Sequence, residues 1–132
     1  MSTSEPSPTV WASLRASDAP GLIAFLTEVL GFEIAAVYQE GDQVEHAQLN
    51  WPLGGGVMLG SMRTDPDDPW HFVPGSFCAY VVTDDTDSLF ERALAGGAEI
   101  VRAPYDTDYG SRDFACRDPE GNLWSFGTYR GA

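Results

Sequence analysis

The second half of this chain repeats the first. At an offset of 66 residues, Asp18 falls on Asp84, Gly31 on Gly97, Glu33 on Glu99, Ile34 on Ile100 and Gly55 on Gly121, with no gap. Identity elsewhere is low, so the argument rests on the order of elements around these matches. Each half reads as strand, helix, strand, strand, strand. In the first half, residues 10–16 alternate: Val10, Ala12, Leu14 and Ala16 share one side, and Trp11, Ser13 and Arg15 the other. Ser17 or Asp18 can cap the helix that follows, because a side-chain oxygen accepts from the free amides of a first turn. Leu22, Ile23, Phe25, Leu26, Val29 and Leu30 recur at helical spacing, and Gly31 stops the helix. Strands follow at 32–38, 44–51 and 56–61, with Pro52-Leu53-Gly54-Gly55 as a tight turn.

The second half is expected to give a strand at 77–83, a helix capped by Asp84 or Asp85 that runs to about Ala95, and strands at 98–104, 111–117 and 123–129. The Pro-rich stretch 63–75, with Asp65, Asp67 and Asp68, reads as a linker between a module at about 8–62 and one at about 76–130 within a single domain. Each half offers one helix to a four-stranded sheet, so one face of each sheet is uncovered. The prediction is an α+β fold of two pseudo-symmetric βαβββ modules, whose curved mixed sheet surrounds a cleft.

A length of 132 residues, 43% of them hydrophobic, suffices for one core without metals or crosslinks. Twenty acids against seven basic residues give a formal charge of -13. Such a surface repels phosphate, which argues against nucleic acid and anionic membrane as partners; it attracts cationic ligands or serves solubility alone. No apolar run is long enough to span a bilayer, and Met1–Pro6 does not read as a secretory leader. Cys78 and Cys116 form no disulfide framework, so both are expected to be small core residues in a reducing cytoplasm. The chain has no Gly-x-Ser-x-Gly, Cys-x-x-Cys or phosphate-cradling loop.

The repeat, the stretch "LRASDAPGLIAFLTEVLGFE" and the ending "RDPEGNLWSFGTY" together resemble the vicinal oxygen chelate superfamily, the group of glyoxalases, extradiol dioxygenases and bleomycin-resistance proteins. The resemblance spans residues 8–130. It is nearest in look to the branch that sequesters antibiotics. It implies a homodimer, with clefts that in many relatives draw on both subunits. In metal-dependent members, four inward His, Gln or Glu side chains hold a divalent ion, two from the first strand and two from the last strand of the halves. Carried over, those places are Trp11, Leu59 (or Met58 or Gly60 if the register shifts by one), Cys78 and Ser125. One thiol cannot hold a metal by itself, so neither a metal nor any other cofactor is expected. His46, on a middle strand, and His71, in the linker, do not match the ligand positions.

If Trp11 and Ser125 face the cleft, alternation adds Ser13, and Cys78 brings Tyr80. On the middle strand His46, Gln48 and Asn50 share a polar face, assigned to the cleft. The 66-residue offset then carries 46 to Arg112 and 48 to Phe114. Trp124 and Phe126, of opposite parity to Ser125, are expected under a helix and away from ligand. The lining suits a flat organic molecule, aromatic or cationic, held by stacking and a few hydrogen bonds. The leading expectation is a metal-free, non-catalytic protein that sequesters a hydrophobic or aromatic small molecule such as an antibiotic. The alternatives are a metal-dependent lyase or dioxygenase with a shifted ligand set, an isomerase using His46 or Arg112, and a structural dimer with an unused cleft. Trp11 could instead be a core residue, and Trp70 and Phe72 could pack a seam instead of closing over a ligand.

Overall fold

The structure is a computed structural model that describes residues 7–132; the reading of Met1–Pro6 lies outside it. The elements, in order, are β1 (Ala12–Ala16), α1 (Ala19–Glu28), β2 (Glu33–Glu40), β3 (Gln43–Asn50), β4 (Gly56–Ser61), β5 (Cys78–Val82), α2 (Thr86–Ala95), β6 (Glu99–Asp106), β7 (Arg112–Arg117) and β8 (Leu123–Gly127). They form two four-stranded sheets, ordered β1-β4-β3-β2 and β5-β8-β7-β6. In each sheet the first and last strands of the module pair in parallel, and the other pairs are antiparallel. This is the expected α+β fold of two similar modules.

Local chemistry sets the helix ends. The Asp18 carboxylate accepts from the Gly21 amide and the Asp85 carboxylate from the Ser88 amide, each at 3.1 Å. Gly31 and Gly97, at φ 95° and 86°, take the left-handed turn that ends each helical segment. Leu22, Ile23, Phe25 and Leu26 of α1 are buried together with Leu14, Ala16, Ala47, Leu49 and Leu59 of its sheet. Leu89 and Ala93 of α2 join the same core as Phe114, Cys116, Trp124 and Phe126.

The modules meet through these helix-bearing faces. Phe32 lies 4.9 Å from Trp51 and 5.5 Å from Trp124, ring centre to ring centre, and Trp51 lies 5.9 Å from Phe126. The Trp51 indole donates to the Val82 carbonyl at 2.8 Å. Glu120 accepts from the Ser17 amide and hydroxyl and the Asp18 amide, tying the second module's turn to the start of α1. Arg92 donates to the Glu28 carbonyl at the far end of the same helix. Trp124 and Phe126 therefore pack as expected from their parity, except that Trp124 also borders a hollow at the junction.

The "DPEGN" stretch is a structural clamp. The Asp118 carboxylate, nearly buried, accepts from the amides of Glu120 and Asn122, the Asn122 side chain and the Trp124 indole. Asn122, fully buried, accepts from the Phe77 amide at 3.0 Å. Both carboxylate oxygens are used in holding a core tryptophan and a turn, as burial of a charge demands.

Candidate functional site

The helix-free face of each sheet follows from strand register. In the first module Ser13 pairs with Met58, Met58 with Gln48, and Gln48 with Ala36, so these four form one row. Two residues further along each strand come Arg15 and Gly60, then His46 opposite Tyr38. In the second module the matching row is Tyr80, Ser125 and Ala115; the next is Val82, Gly127, Asp113 and Tyr105. On the other side of the Ser125 row lie Cys78, Leu123, Arg117 and Glu99.

These rows correct the repeat. Ser13 corresponds to Tyr80, Met58 to Ser125 and Gln48 to Ala115, each 67 residues apart. The caps Asp18 and Asp85 obey the same spacing, as do Gly54 and Gly121, whose amides donate to Trp51 and Asp118. The 66-residue offset holds only for Gly31, Glu33 and Ile34 with Gly97, Glu99 and Ile100. The second module has one residue fewer from cap to helix stop. It regains one through an extra bulge residue between Arg102 and Tyr105, where Pro104 has no amide to donate to a ladder.

A slip of one residue moves a side chain to the other face of a sheet. Arg112 and Phe114, expected in the cleft, lie on the helix side. Phe114 is fully buried, stacked on Phe126 at 5.2 Å and edge-on to Phe90 of α2 at 5.6 Å. Arg112 pairs with Asp87 of α2 at 3.0 Å and Asp106 at 3.1 Å, and hydrogen bonds to these carboxylates raise its pKa. The open face instead carries Asp113 and Arg117. Sequence reasoning passed over these two and held Met58, the partner of Ser13, only as an alternative to Leu59; the signal that finds all three is the Asp18–Asp85 cap pair.

The remaining candidates fall into two groups. Trp11, Gln48 and Asn50 line a hollow of about 370 Å³ with Trp51, Pro52 and Gly55, and the Gln48 amide donates to Asn50 Oδ1 at 2.9 Å. His46 stacks near Tyr38, ring centres 6.3 Å apart, on the same sheet face. Ser13 borders a separate hollow beside the linker. In the second module Tyr80 donates to the Tyr129 carbonyl at 2.8 Å, and Ser125 is half-buried beside it in register. Between the modules, Ala12, Trp51, Leu53, Tyr80 and Trp124 line a further hollow of about 360 Å³. The two groups thus occupy separate open faces, because the modules dock through their helix sides.

One thiol is placed as expected and the other is not. Cys116 is a core residue, and burial, with Asp118 nearby, pushes its pKa up to about 12. Cys78 is exposed: its strand lies at a sheet edge and its side chain on the open face. Trp70 and Phe72 are half-exposed on the linker, and His71 is held locally at 2.6 Å from the Arg63 carbonyl.

Of the four positions where a metal would be held, Trp11 stands immediately before β1 and the register selects Met58 over Leu59 and Gly60. With Cys78 and Ser125 they offer one thiolate, one thioether and a hydroxyl, divided between two faces. This set does not fit a divalent ion, which needs three or four convergent donors. Among the described residues no three His, Cys, Asp or Glu side chains gather as a metal site.

With this geometry, the sequence model of the Glyoxalase/Bleomycin resistance protein/Dioxygenase superfamily matches residues 9–126. The chain belongs to this superfamily. Its fold is similar to that of TioX from Micromonospora sp. ML1, with 28% identity over 92% of this chain and 98% of that one, at a TM-score of 0.76. It is similar also to TnmS3, an antibiotic binding protein from Streptomyces sp. CB03234, with 27% identity over 96% of each chain and a TM-score of 0.67. UcmS2, at 19% identity and a TM-score of 0.71, shares the fold. No curated protein sequence matches the chain. No helix among the described residues is long and apolar enough to cross a membrane.

Proposed function

We propose that this superfamily member binds and sequesters a hydrophobic or aromatic small molecule, such as an antibiotic, without a metal and without chemistry. One observation carries the reading: the scaffold is intact, while its metal-holding positions are filled by Trp11, Met58, Cys78 and Ser125. An indole and a thioether in place of ligating side chains convert coordination space into contact surface for a flat molecule. The binding residues are Trp11, Ser13, His46, Gln48 and Asn50 of the first face and Cys78, Tyr80 and Ser125 of the second. The similarity to TnmS3, an antibiotic binding protein, supports the ligand class.

The account includes a homodimer. Strands β1 and β5 each leave a sheet edge unpaired, and Tyr38, Tyr80 and Val101 are exposed. A second copy that brings a first-module face against a second-module face would enclose what one chain leaves open. The charge of -13 favours a neutral or cationic ligand body at long range. Two free thiols, one of them exposed, support a reducing, cytoplasmic setting.

The test combines metal analysis with ligand titration on the same preparation. The expected result is no stoichiometric iron, zinc, nickel or manganese, with a planar aromatic probe bound and tryptophan fluorescence quenched. About one transition metal per chain would favour the lyase or dioxygenase reading instead.

A further inference from the structure

The chain has no lysine, so its positive charges are seven arginines, and six have an evident occupation. Arg112 holds Asp87 and Asp106, Arg130 holds Asp84, Arg117 faces Glu99 at 3.7 Å, and Arg63 faces Asp68 at 3.9 Å, within ion-pair distance although its buried Nε makes no hydrogen bond. Arg102 lies over the Tyr105 ring at 3.5 Å, and Arg92 donates to the Glu28 carbonyl. Arg15 differs. Among the described residues no carboxylate lies within ion-pair distance of it. Its one hydrogen bond among the described residues, to the Ser61 carbonyl, is 3.5 Å long, too long to explain the residue as a structural strut.

The position of Arg15 is specific. It lies on the first open face, in the strand that carries Ser13, and its guanidinium rests across Gly60. A side chain at residue 60 would collide with Arg15 Nη1, so glycine leaves the groove that the guanidinium fills. With Ser13, Phe72, Val73 and Ser76 it lines a hollow of about 210 Å³. Burial and the neighbouring Arg63 lower its pKa, and Asp68, which acts against them, lies beyond ion-pair distance. Arg63 opens toward Glu45, Asp65 and Asp68, an acid-rich hollow of its own. The equivalent of Arg15 in the second module is Val82, so the fold itself does not need an arginine there.

We infer that Arg15 is an anion-recognition residue: the ligand of the first open face carries a carboxylate, sulfonate or comparably acidic oxygen, and the Arg15 guanidinium binds it. The inference rests on the small-molecule-binding reading above. A guanidinium presents a planar fork of donors to such a group, and the charge-assisted bonds are stronger than neutral ones. Ser13 adds a hydroxyl donor in the same hollow, and Phe72 an apolar wall. The long-range field of the acidic chain opposes free inorganic anions, so the acidic group must be attached to a body that contact with the face holds.

The test uses two fluorescent probes that share one skeleton: 1-anilinonaphthalene-8-sulfonate, and neutral N-phenyl-1-naphthylamine, which lacks the sulfonate. Both are titrated into the full chain and into Arg15→Gln, Arg15→Lys and Arg130→Gln, each checked by thermal unfolding. The expected result is about a tenfold loss of sulfonate affinity in Arg15→Gln, with the neutral probe within twofold of its starting value. Arg15→Lys should fall between, and Arg130→Gln should match the unaltered chain. If Arg15→Gln fails to fold, Arg15→Lys carries the test through loss of the sulfonate preference. Equal effects on both probes, no effect, or a loss located at Arg130 would overturn the inference while small-molecule binding stands. Failure of both probes to bind the unaltered chain would overturn the binding reading and the inference with it.

Discussion

In the first module the row two residues beyond Ser13 carries Arg15, Gly60, His46 and Tyr38; in the second the equivalent row carries Val82, Gly127, Asp113 and Tyr105. A glycine and a tyrosine keep their places, and the charge reverses. Asp113 is nearly buried, accepting from Ser111 and Tyr109, while Ser111 in turn accepts from the Tyr129 amide and Tyr129 packs edge-on to Tyr109. The chain's own C-terminal segment thereby closes that end of the second face. Among the described residues the first face has no such plug: Tyr38 is exposed and no carboxylate lies within ion-pair distance of Arg15. Duplicated strands thus supply one face stabilised from within and one left open.

The largest expected effect tests the register beneath this comparison. Phe114→Ala removes a fully buried ring that touches Phe90 and Phe126, and should cost about 3–5 kcal/mol in denaturant unfolding. A stable variant that merely loses ligand would return Phe114 to the open face and restore the 66-residue offset. Next, Asp113→Ala leaves Ser111 and Tyr109 without their acceptor, at a cost of about 1–3 kcal/mol. His46→Ala at the equivalent position should stay within about 0.5 kcal/mol of the original. Equal losses at the two sites would erase the distinction between a plugged and an open face.

Trp11→Ala should weaken binding of a planar probe by more than the stacking contribution of about 0.5–1.5 kcal/mol, since burial is lost as well. Its indole is half-exposed, so thermal stability should change little. Severe unfolding with unchanged affinity would mark Trp11 as core. The smallest effect concerns the thiols. Exposed Cys78 should be alkylated in the folded chain, and Cys116 only after unfolding. The unfolded thiol of Cys116 loses its proton near its ordinary value, and the folded one only at about 12. That contribution to stability is complete below the ordinary value and is lost as pH rises toward 12. Stability that rises with pH over this range would contradict the burial of Cys116.

The elements were legible because their signals are local. Asp18 and Asp85 cap, Gly31 and Gly97 stop, and the spacing of Leu22, Phe25 and Leu26 gives the buried stripe. The parity of Trp124 and Phe126 also followed from alternation alone. The facing residues of β7 did not, because two compensating one-residue changes, in the α2 segment and at the Pro104 bulge, cannot be seen in an ungapped comparison. Gly55 with Gly121 and Asp18 with Asp84 matched by coincidence, one residue from the true partners. The separation of the two faces was hidden as well. It depends on which sides of the sheets dock, and the Phe32, Trp51 and Trp124 contacts that decide it join residues far apart in sequence.

The central claim is that contact surface has replaced coordination. Its most direct test is calorimetric titration of N-phenyl-1-naphthylamine into the protein before and after exhaustive chelation. The account predicts the same affinity in both preparations, and no change when zinc, iron, nickel or manganese is added back. Affinity that disappears with the chelator and returns with one of these metals would contradict it.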